Sequence, residues 1–366
     1  MRITQVAAES LRSFERLRFQ PHPHINIFHG ANAAGKTTVL EAVYLGARAG
    51  SFRARRLDEV IREGATSAKV SLAVCGDDFP APPVIWGVSC RRGEAQIQRF
   101  DEAANRRELA EAIPVALVDR QLHRVFEEGP VYRRRYLDWG LFYVEQSFFG
   151  LWRRYERALR QRNQALRQKL SLRQIQAWEP ELVASGEALH QLRREHLTVL
   201  EQEARVWLME MLGSDRFSLQ LVAGWDEAVS LSKALESGFE GDRKMGFTHA
   251  GPHRAELRLR FEGHEARSFV SRGQQKMLSV AMVLAQAALV ARHRQQHPVI
   301  LLDDLEAELS QDWQNRLLAA LKRYPGQSLV TSLEWRVAPG VAGLSPSDYR
   351  LFHVEQGTLG VVETPQ

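Results

Sequence analysis

Apolar and polar positions along the chain change period twice, dividing it into three stretches. Up to about residue 115, short apolar runs alternate with turns: Ile3 to Ala7, Leu17 to Phe19, Ile25 to Phe28, Lys69 to Cys75 and Val84 to Ser89 have strand composition. One helix interrupts them, opening with Thr38-Val39-Leu40-Glu41-Ala42-Val43-Tyr44-Leu45. From about 118 to 213 Gly and Pro thin out and apolar residues recur at helical steps: Val144, Phe148, Leu151, Tyr155, Leu159, Leu166 and Leu170, then, beyond Pro180, Leu182, Leu189, Leu192, Val199 and Val206. That period predicts an antiparallel helical hairpin, or the start of a short coiled coil, with helices of about 30 residues spanning on the order of 45 Å. From about 245 strand texture returns, followed by a helix from Gln274 to Arg292, an apolar strand at 298–302 and a final α/β stretch.

Between the strand at 25–28 and the helix from Thr38 lies Gly30-Ala31-Asn32-Ala33-Ala34-Gly35-Lys36-Thr37, a full match to G-x-x-x-x-G-K-[ST]. A loop there turns successive backbone N–H groups toward one point, and the helix N-terminus adds partial positive charge. Gly30 and Gly35 permit the tight turn, Lys36 reaches the β and γ phosphates, and the Thr37 hydroxyl ligates Mg²⁺. A glycine-containing turn could match by chance, but the strand and helix on either side select a phosphate loop, so the chain is expected to bind a nucleoside triphosphate with Mg²⁺. Pro298-Val299-Ile300-Leu301-Leu302-Asp303-Asp304 reads as a fully buried parallel strand ending in two acids, at the end where such sheets bind ligands. Asp303 is expected to hold Mg²⁺ and Asp304 to polarise the attacking water, because adjacent strand residues face opposite ways and only one can serve the metal. Since these nucleotide elements flank the helical stretch, that stretch is an insertion. The expected organisation is head residues 1–117, a helical lobe 118–244 and head residues 245–366.

Charge changes the picture only locally. Lys and Arg number 49 against 44 Asp and Glu, a net +5 that is mild for a nucleic-acid binder, so distribution matters more than total. Arg153, Arg154, Arg157, Arg160, Arg162, Arg167 and Lys169 crowd the first helix of the lobe, where Glu156 is the one acid from Leu151 to Arg173. This tilts the block from a solvated face toward phosphate contact, together with Arg53, Arg55 and Arg56. Tyr132, Tyr136, Trp139, Phe142 and Tyr143 lie among or just after arginines as base-stacking residues do, yet at that spacing they read as core. Two cysteines without metal spacing fit a reducing cytosol, and neither a signal peptide nor a run of 18 apolar residues is seen, so a soluble cytoplasmic protein is expected. His249 and His253 have a helical zinc spacing, but Gly251-Pro252 between them argues against a helix and hence against zinc.

Ser271-Arg272-Gly273-Gln274 opens an apolar helix about 27 residues before the acidic strand and resembles the S-x-G-Q signature of ABC-type ATPases. With Leu11-Arg12-Ser13-Phe14, Ser51-Phe52-Arg53, the stretch Gly129 to Asp138 (G-P-x-x-R-R-x-Y-L-D) and the stretch Thr248 to Leu257 (containing G-P-H-R-x-E-L), the chain resembles SMC-type heads and, more finely, the RecF family, in order and over nearly its whole length. The resemblance implies an α/β fold, an ABC-type/SMC-like P-loop ATPase head with an inserted helical lobe. Residues Gly30 to Thr38 and Arg12 would grip the nucleotide, which the resemblance implies is ATP, while Ser271, Gly273 and Gln274 close over the γ-phosphate held by a second copy. It further implies a slow, DNA-stimulated ATPase used as a switch: an ATP-dependent homodimer on duplex DNA and on single-strand/duplex junctions. Expected partners are RecO- and RecR-type mediators, with roles in loading the strand-exchange recombinase at gapped DNA and in the SOS response. OLD-type nucleases share such a head but carry a further acidic domain after it, and the roughly 60 residues beyond Asp304 leave no room for one. Three positions depart from or fit the family pattern loosely. Ala33 replaces a usual glycine and is expected to stiffen the loop. Ser310 ends Glu308-Leu309-Ser310 where the family's D-loop ends in Asp, and Gln121 falls where a Q-loop residue would.

Overall fold

In the computed structural model, which describes residues 1–76, 82–119, 129–304, 309–333 and 344–362, helix α1 (Lys36–Arg48) is buried on nearly every side. Two sheets cover it. The first is antiparallel, in the order β2-β1-β4-β5-β6-β7, from β1 (Arg2–Leu11), β2 (Phe14–Phe19), β4 (Ala68–Cys75), β5 (Val84–Arg91), β6 (Glu94–Arg99) and β7 (Glu102–Ala104). The second runs β15-β14-β3-β13-β12-β8, from β3 (Ile25–His29), β8 (Val115–Val118), β12 (Val299–Leu302), β13 (Ser328–Ser332), β14 (Tyr349–Glu355) and β15 (Thr358–Val362). It is parallel except at β15. The expected N-terminal strands are thus present, and the apolar runs of β12 and β13 are buried throughout, as strands covered on both faces must be. A Cβ at Gly46 would stand 2.7 Å from Leu72, so α1 lies directly on β4.

The chain divides into two compact units, one of Met1–Leu122, Glu210–Leu212 and Arg272–Gln366, the other of His123–Met209 and Gly213–Ser271. The first also holds α2 (Arg106–Ala112), whose Asn105 cap accepts from the Arg107 and Glu108 amides. In the second lie α3 (Pro130–Val144), α4 (Phe148–Arg167), α5 (Leu172–Gln176), α6 (Glu179–Leu212), α7 (Leu231–Ser237), α8 (Phe239–Met245) and α9 (Ala266–Phe269). A three-stranded sheet, β11-β10-β9, joins them from β9 (Phe217–Val222), β10 (Glu256–Phe261) and β11 (His264–Glu265). The boundary expected at 244 is therefore displaced: residues 245–271 group with the lobe because β10 finds its antiparallel partner in β9. Returning to the first unit, α10 (Arg272–Arg294) and α11 (Gln311–Arg323) complete the helices among the described residues. Among those residues α10 alone is long and apolar enough to cross a membrane; Ser279 and Gln286 interrupt its apolar run, which is why the sequence reading passed over it. Its Met277, Leu278, Val280, Ala281 and Leu284 are buried and it packs on β8, as a core helix does.

The helical hairpin is uneven. The expected first helix breaks at Glu145–Ser147, where the Glu145 carboxylate accepts from the Ser147 amide and hydroxyl at 2.9 and 2.8 Å, and α4 begins only at Phe148. It has 20 residues against 34 in α6, with Pro180 in the first turn of the latter, where a missing N–H costs nothing. Tyr155 meets Gly186 while Arg162 meets Glu179, so the two helices run antiparallel.

The two motif stretches that carry the family resemblance interlock inside this unit. Arg133 forks onto Glu256 at 2.5 and 2.8 Å, and Arg134 donates to the Ala255 carbonyl at 2.7 Å. Arg193 bridges both, forked on Asp138 at 2.8 Å and donating to the Pro252 carbonyl at 2.7 Å. His249 and His253 go to separate partners: His249 to Asp242 at 2.7 Å, His253 between the Tyr155 hydroxyl at 2.5 Å and the Thr248 carbonyl at 3.0 Å. Burial lowers the His253 pKa to about 4, so the ring is neutral near pH 7 and donates from Nε2 while accepting at Nδ1.

One member of the expected basic face is misassigned. Arg162 is fully buried and spent on Asp242 at 2.7 Å, Thr248 at 2.8 Å and Glu179 at 3.1 Å, because position 162 continues the apolar stripe of Tyr155, Leu159 and Leu166. Replacing it by Met strands Asp242, itself 1% exposed, without a counter-charge. Arg162→Met is expected to destabilise the lobe by about 3–5 kcal/mol, read as a lowered midpoint in urea, far more than Arg160→Met on the exposed side.

Candidate nucleotide-binding site

Strand register assembles the site. Ile27 and Leu302 both lie opposite Val330, so β3, β13 and β12 end at one level, with the phosphate loop and the acidic pair emerging side by side. A cleft of about 640 Å³ opens there, lined by Arg12, Ser13, Asn32 to Thr38, Phe52, Arg53, Asp119, Asp303, Asp304, Thr331 and Leu333. The loop is braced from behind by the β14–β15 hairpin. A Cβ at Gly30 would meet the Val354 carbonyl at 2.2 Å, and the Gly357 amide donates to the Ala34 carbonyl at 3.2 Å. Gly35, at φ 112°, sits against the Phe14 ring, which a Cβ would approach to 2.9 Å. Lys36 Nζ lies over the loop, donating to the carbonyls of Gly30 at 2.6 Å and Ala31 at 2.9 Å. Asn32 and Thr38 also line the cleft, and Thr38 is buried in the first turn of α1.

Asp303 is nearly buried and takes hydrogen bonds from the Thr37 hydroxyl at 3.0 and 3.3 Å and from the Thr331 hydroxyl at 2.8 Å. A hydroxyl and a carboxylate in contact at the mouth of a phosphate loop are the hard oxygen donors that suit Mg²⁺, which takes one or two protein ligands and fills the rest with water and phosphate. The residues present fit the ion. Asp304 has left the strand: its φ is 63°, its amide donates to Thr331 Oγ at 2.7 Å and its carbonyl accepts from Lys276 Nζ. Asp304 lines the same cleft as Asp303.

At the other end of the cleft Arg12 is forked on Glu41 at 3.0 and 2.9 Å. Glu41 is completely buried on α1; it also accepts from the Ser51 hydroxyl and lies 3.7 Å from Arg53. One carboxylate thus fixes two arginines and the chain leaving α1, and Ser51 in turn caps the Arg53 and Ala54 amides at 3.0 and 2.9 Å.

Comparison with known proteins identifies the family. The family model described as RecF/RecN/SMC N terminal domain matches residues 2–358. The "DNA replication and repair protein RecF" of Chromohalobacter salexigens is 38% identical over 95% of this chain and 96% of its own, and that of Pseudomonas fluorescens 36% over 98% of each. The chain belongs to the RecF family. A solved RecF–ATP structure superposes with a TM-score of 0.83 at 21% identity, covering 99% of this chain and 97% of that one. An SMC head bound to the C-winged helix domain of ScpA gives 0.58 at 14%, covering 99% and 97%. The expected ABC-type/SMC-like head fold is thereby established.

Within the RecF family frame, Gly273 and Gln274 occupy the first turn of α10, with Ser271 just before it in the chain, and neither Gly273 nor Gln274 lines the cleft. Ser310, the departure in the D-loop, stands at the N-cap position of α11, a position that Ser and Asp fill alike. Gln121 and Glu308 lie outside the described residues. Sequence reasoning marked Ser51 only as part of a family motif and missed Glu41, Thr331, Lys276 and Asp119. Glu41 had a usable signal, a carboxylate on the otherwise apolar side of a buried helix, whereas Thr331 becomes visible only once β13 is placed between β3 and β12.

Ala33 is held at φ 63°, the left-handed region its missing-glycine position implied, at a cost of roughly 1–2 kcal/mol. Ala33→Gly removes that strain and loosens the unfolded chain less than it gains. Expected is a rise in stability of up to about 1 kcal/mol by denaturant titration; a loss would show that the alanine is not strained there.

Proposed function

We propose that this chain is an ATP-switched, DNA-binding protein of replication and recombinational repair, acting as a homodimer. The observation that carries the reading is the contact of Thr37 with Asp303 at 3.0 Å under a phosphate loop and beside Asp304. In this reading the amides of Gly30 to Thr38 cradle the phosphates, Lys36 swings from the loop carbonyls onto the β and γ phosphates, and Arg12, fixed by Glu41, meets the nucleotide from the far side. Mg²⁺, when bound, neutralises developing phosphate charge, held by Thr37 and Asp303. Asp304 orients the attacking water. Hydrolysis is slow because the signature of Ser271, Gly273 and Gln274 must come from a second copy; it closes on the γ-phosphate, and turnover releases the pair.

The names of the relatives, DNA replication and repair protein RecF, and the solved "RecF-ATP in RecFOR pathway" support the biological setting. We infer non-sequence-specific binding to duplex DNA and single-strand/duplex junctions, through Arg53, Arg55 and Arg56 and the exposed arginines of α4. We further infer partnership with RecO- and RecR-type mediators in a cytoplasmic setting, loading of the recombinase at gaps and support of the SOS response.

Sedimentation with and without ATP and duplex DNA tests the switch. Ser271→Arg is expected to leave ATP affinity nearly intact while abolishing the ATP-dependent dimer; a persisting dimer refutes the role of the signature.

Lys36→Met is expected to lose nucleotide binding, whereas Asp304→Asn retains ATP and stays dimeric because it spares the metal-holding pair. Equal loss of binding in both variants would show that Asp303 and Asp304 do not divide these tasks.

A further inference from the structure

We propose that the outward face of α4 is a seat for an unpaired nucleic-acid strand, its phosphates on a stripe of arginines and a base on the Phe149–Trp152 pair. This rests on the DNA-binding reading above and gives it a place and a strand type. One side of α4 is packed inward through Tyr155, Leu159, Arg162 and Leu166. At about 100° per residue, Phe149, Arg153, Arg157 and Arg160 fall within one quadrant on the opposite side, and the three arginines are exposed. An open, shallow surface of about 850 Å³ runs along them. The Phe149 and Trp152 rings lie 6.3 Å apart and within 18° of parallel, Trp152 is 36% exposed, and the Arg153 guanidinium stands 5.8 Å from the Phe149 ring centre.

Each feature discriminates among occupants. A solvated helix face mixes both signs, but among the described residues Glu156 is the one acid lining this surface, and of the neighbouring arginines Arg154 is the one paired with a described carboxylate, Glu181 at 3.3 Å. The excess of positive charge calls for a polyanion. The stripe advances about 4.5–6 Å between successive arginines, a spacing a flexible strand follows one phosphate at a time. Duplex DNA would use the arginines and leave the two rings idle, because its bases are already stacked. An unpaired strand uses both, since every base has a π face and stacking is indifferent to sequence.

The test is fluorescence-anisotropy titration of the full chain with three labelled probes: oligothymidylate of about 20 nucleotides, an abasic strand of equal length, and a duplex. Phe149→Ala combined with Trp152→Ala is expected to weaken oligothymidylate about tenfold, leaving the abasic strand and the duplex within about twofold. Trp152→Phe with Phe149 intact restores binding, separating stacking from misfolding. Arg153→Glu with Arg157→Glu weakens all three probes and flattens the salt dependence, which for single strands is about −0.7 per phosphate neutralised. Loss of oligothymidylate and abasic strand in equal measure in the aromatic variant, or no loss at all, overturns the seat while leaving the DNA-binding reading intact. Competition by polyglutamate as strong as that by oligothymidylate overturns it in favour of an acidic protein segment. Failure of the unaltered chain to bind any probe, with or without ATP, overturns both.

Discussion

The carboxylate of Asp303 is the point on which the head converges. It is nearly buried, and it is tolerable there because Thr37 and Thr331 supply hydroxyl donors from two other elements. Those donors arrive only if β3, β13 and β12 keep their register, since a slip of one residue would turn Thr331 to the other face of the sheet. Register in turn depends on α1, whose apolar surface must be covered by the second sheet for the phosphate loop to enter it at the right height. Gly46 of α1 is fitted against Leu72 of the first sheet, and within the second sheet the Phe28 and Phe352 rings stack 4.8 Å apart. The chemistry of the cleft and the hydrophobic core of the head are therefore one constraint seen from two sides.

Much of this was legible in the sequence, and the reason is locality. The phosphate loop is eight consecutive residues whose conformation follows from two glycines and a helix N-terminus, and a buried parallel strand ending in acids declares itself by composition alone. What escaped was what the fold joins from afar. Thr37 and Asp303 are 266 positions apart, so their meeting at one Mg²⁺ was inferred from two separate motifs, and Thr331 carried no mark of its own. Arg162 is the instructive error: counted with its basic neighbours it reads as surface, but counted in steps from Tyr155 and Leu159 it falls on the buried stripe, and period outweighs charge. The break at Glu145–Ser147 was invisible for the opposite reason, because Val144 and Phe148 keep helical spacing across an interruption made by side-chain hydrogen bonds.

The lobe encloses three arginine–carboxylate pairs within its core. Arg133–Glu256, Arg193–Asp138 and Arg162–Asp242 are each forked, short or fully enclosed, and the arginines concerned sit at 9% side-chain exposure or less. Buried pairs of this kind return little net stability, since desolvation consumes most of the attraction. They do impose geometry: a guanidinium fork accepts one carboxylate orientation, and a residue removed leaves its partner stranded. The two motif stretches most diagnostic of the family lie here and not in the nucleotide cleft, and their charged residues serve the shape of the lobe. A lobe locked by Arg193 across Asp138 and Pro252 presents its outer helix in a fixed attitude.

That rigidity bears on how an ATP switch would act. A loop already strained at Ala33 and an acidic turn already strained at Asp304, both with φ 63°, are conformations maintained by the packing around them. Asp304 is held on one side by Thr331, within the sheet, and on the other by Lys276, two residues beyond Gln274 in α10. The same helix that opens with Gly273 and Gln274 therefore also grips the backbone of the acid expected to orient water. A displacement of the first turn of α10 moves Lys276 with it and so moves Asp304. Engagement of the signature by a second copy would then be felt within the chain that offers it, through one lysine and one carbonyl.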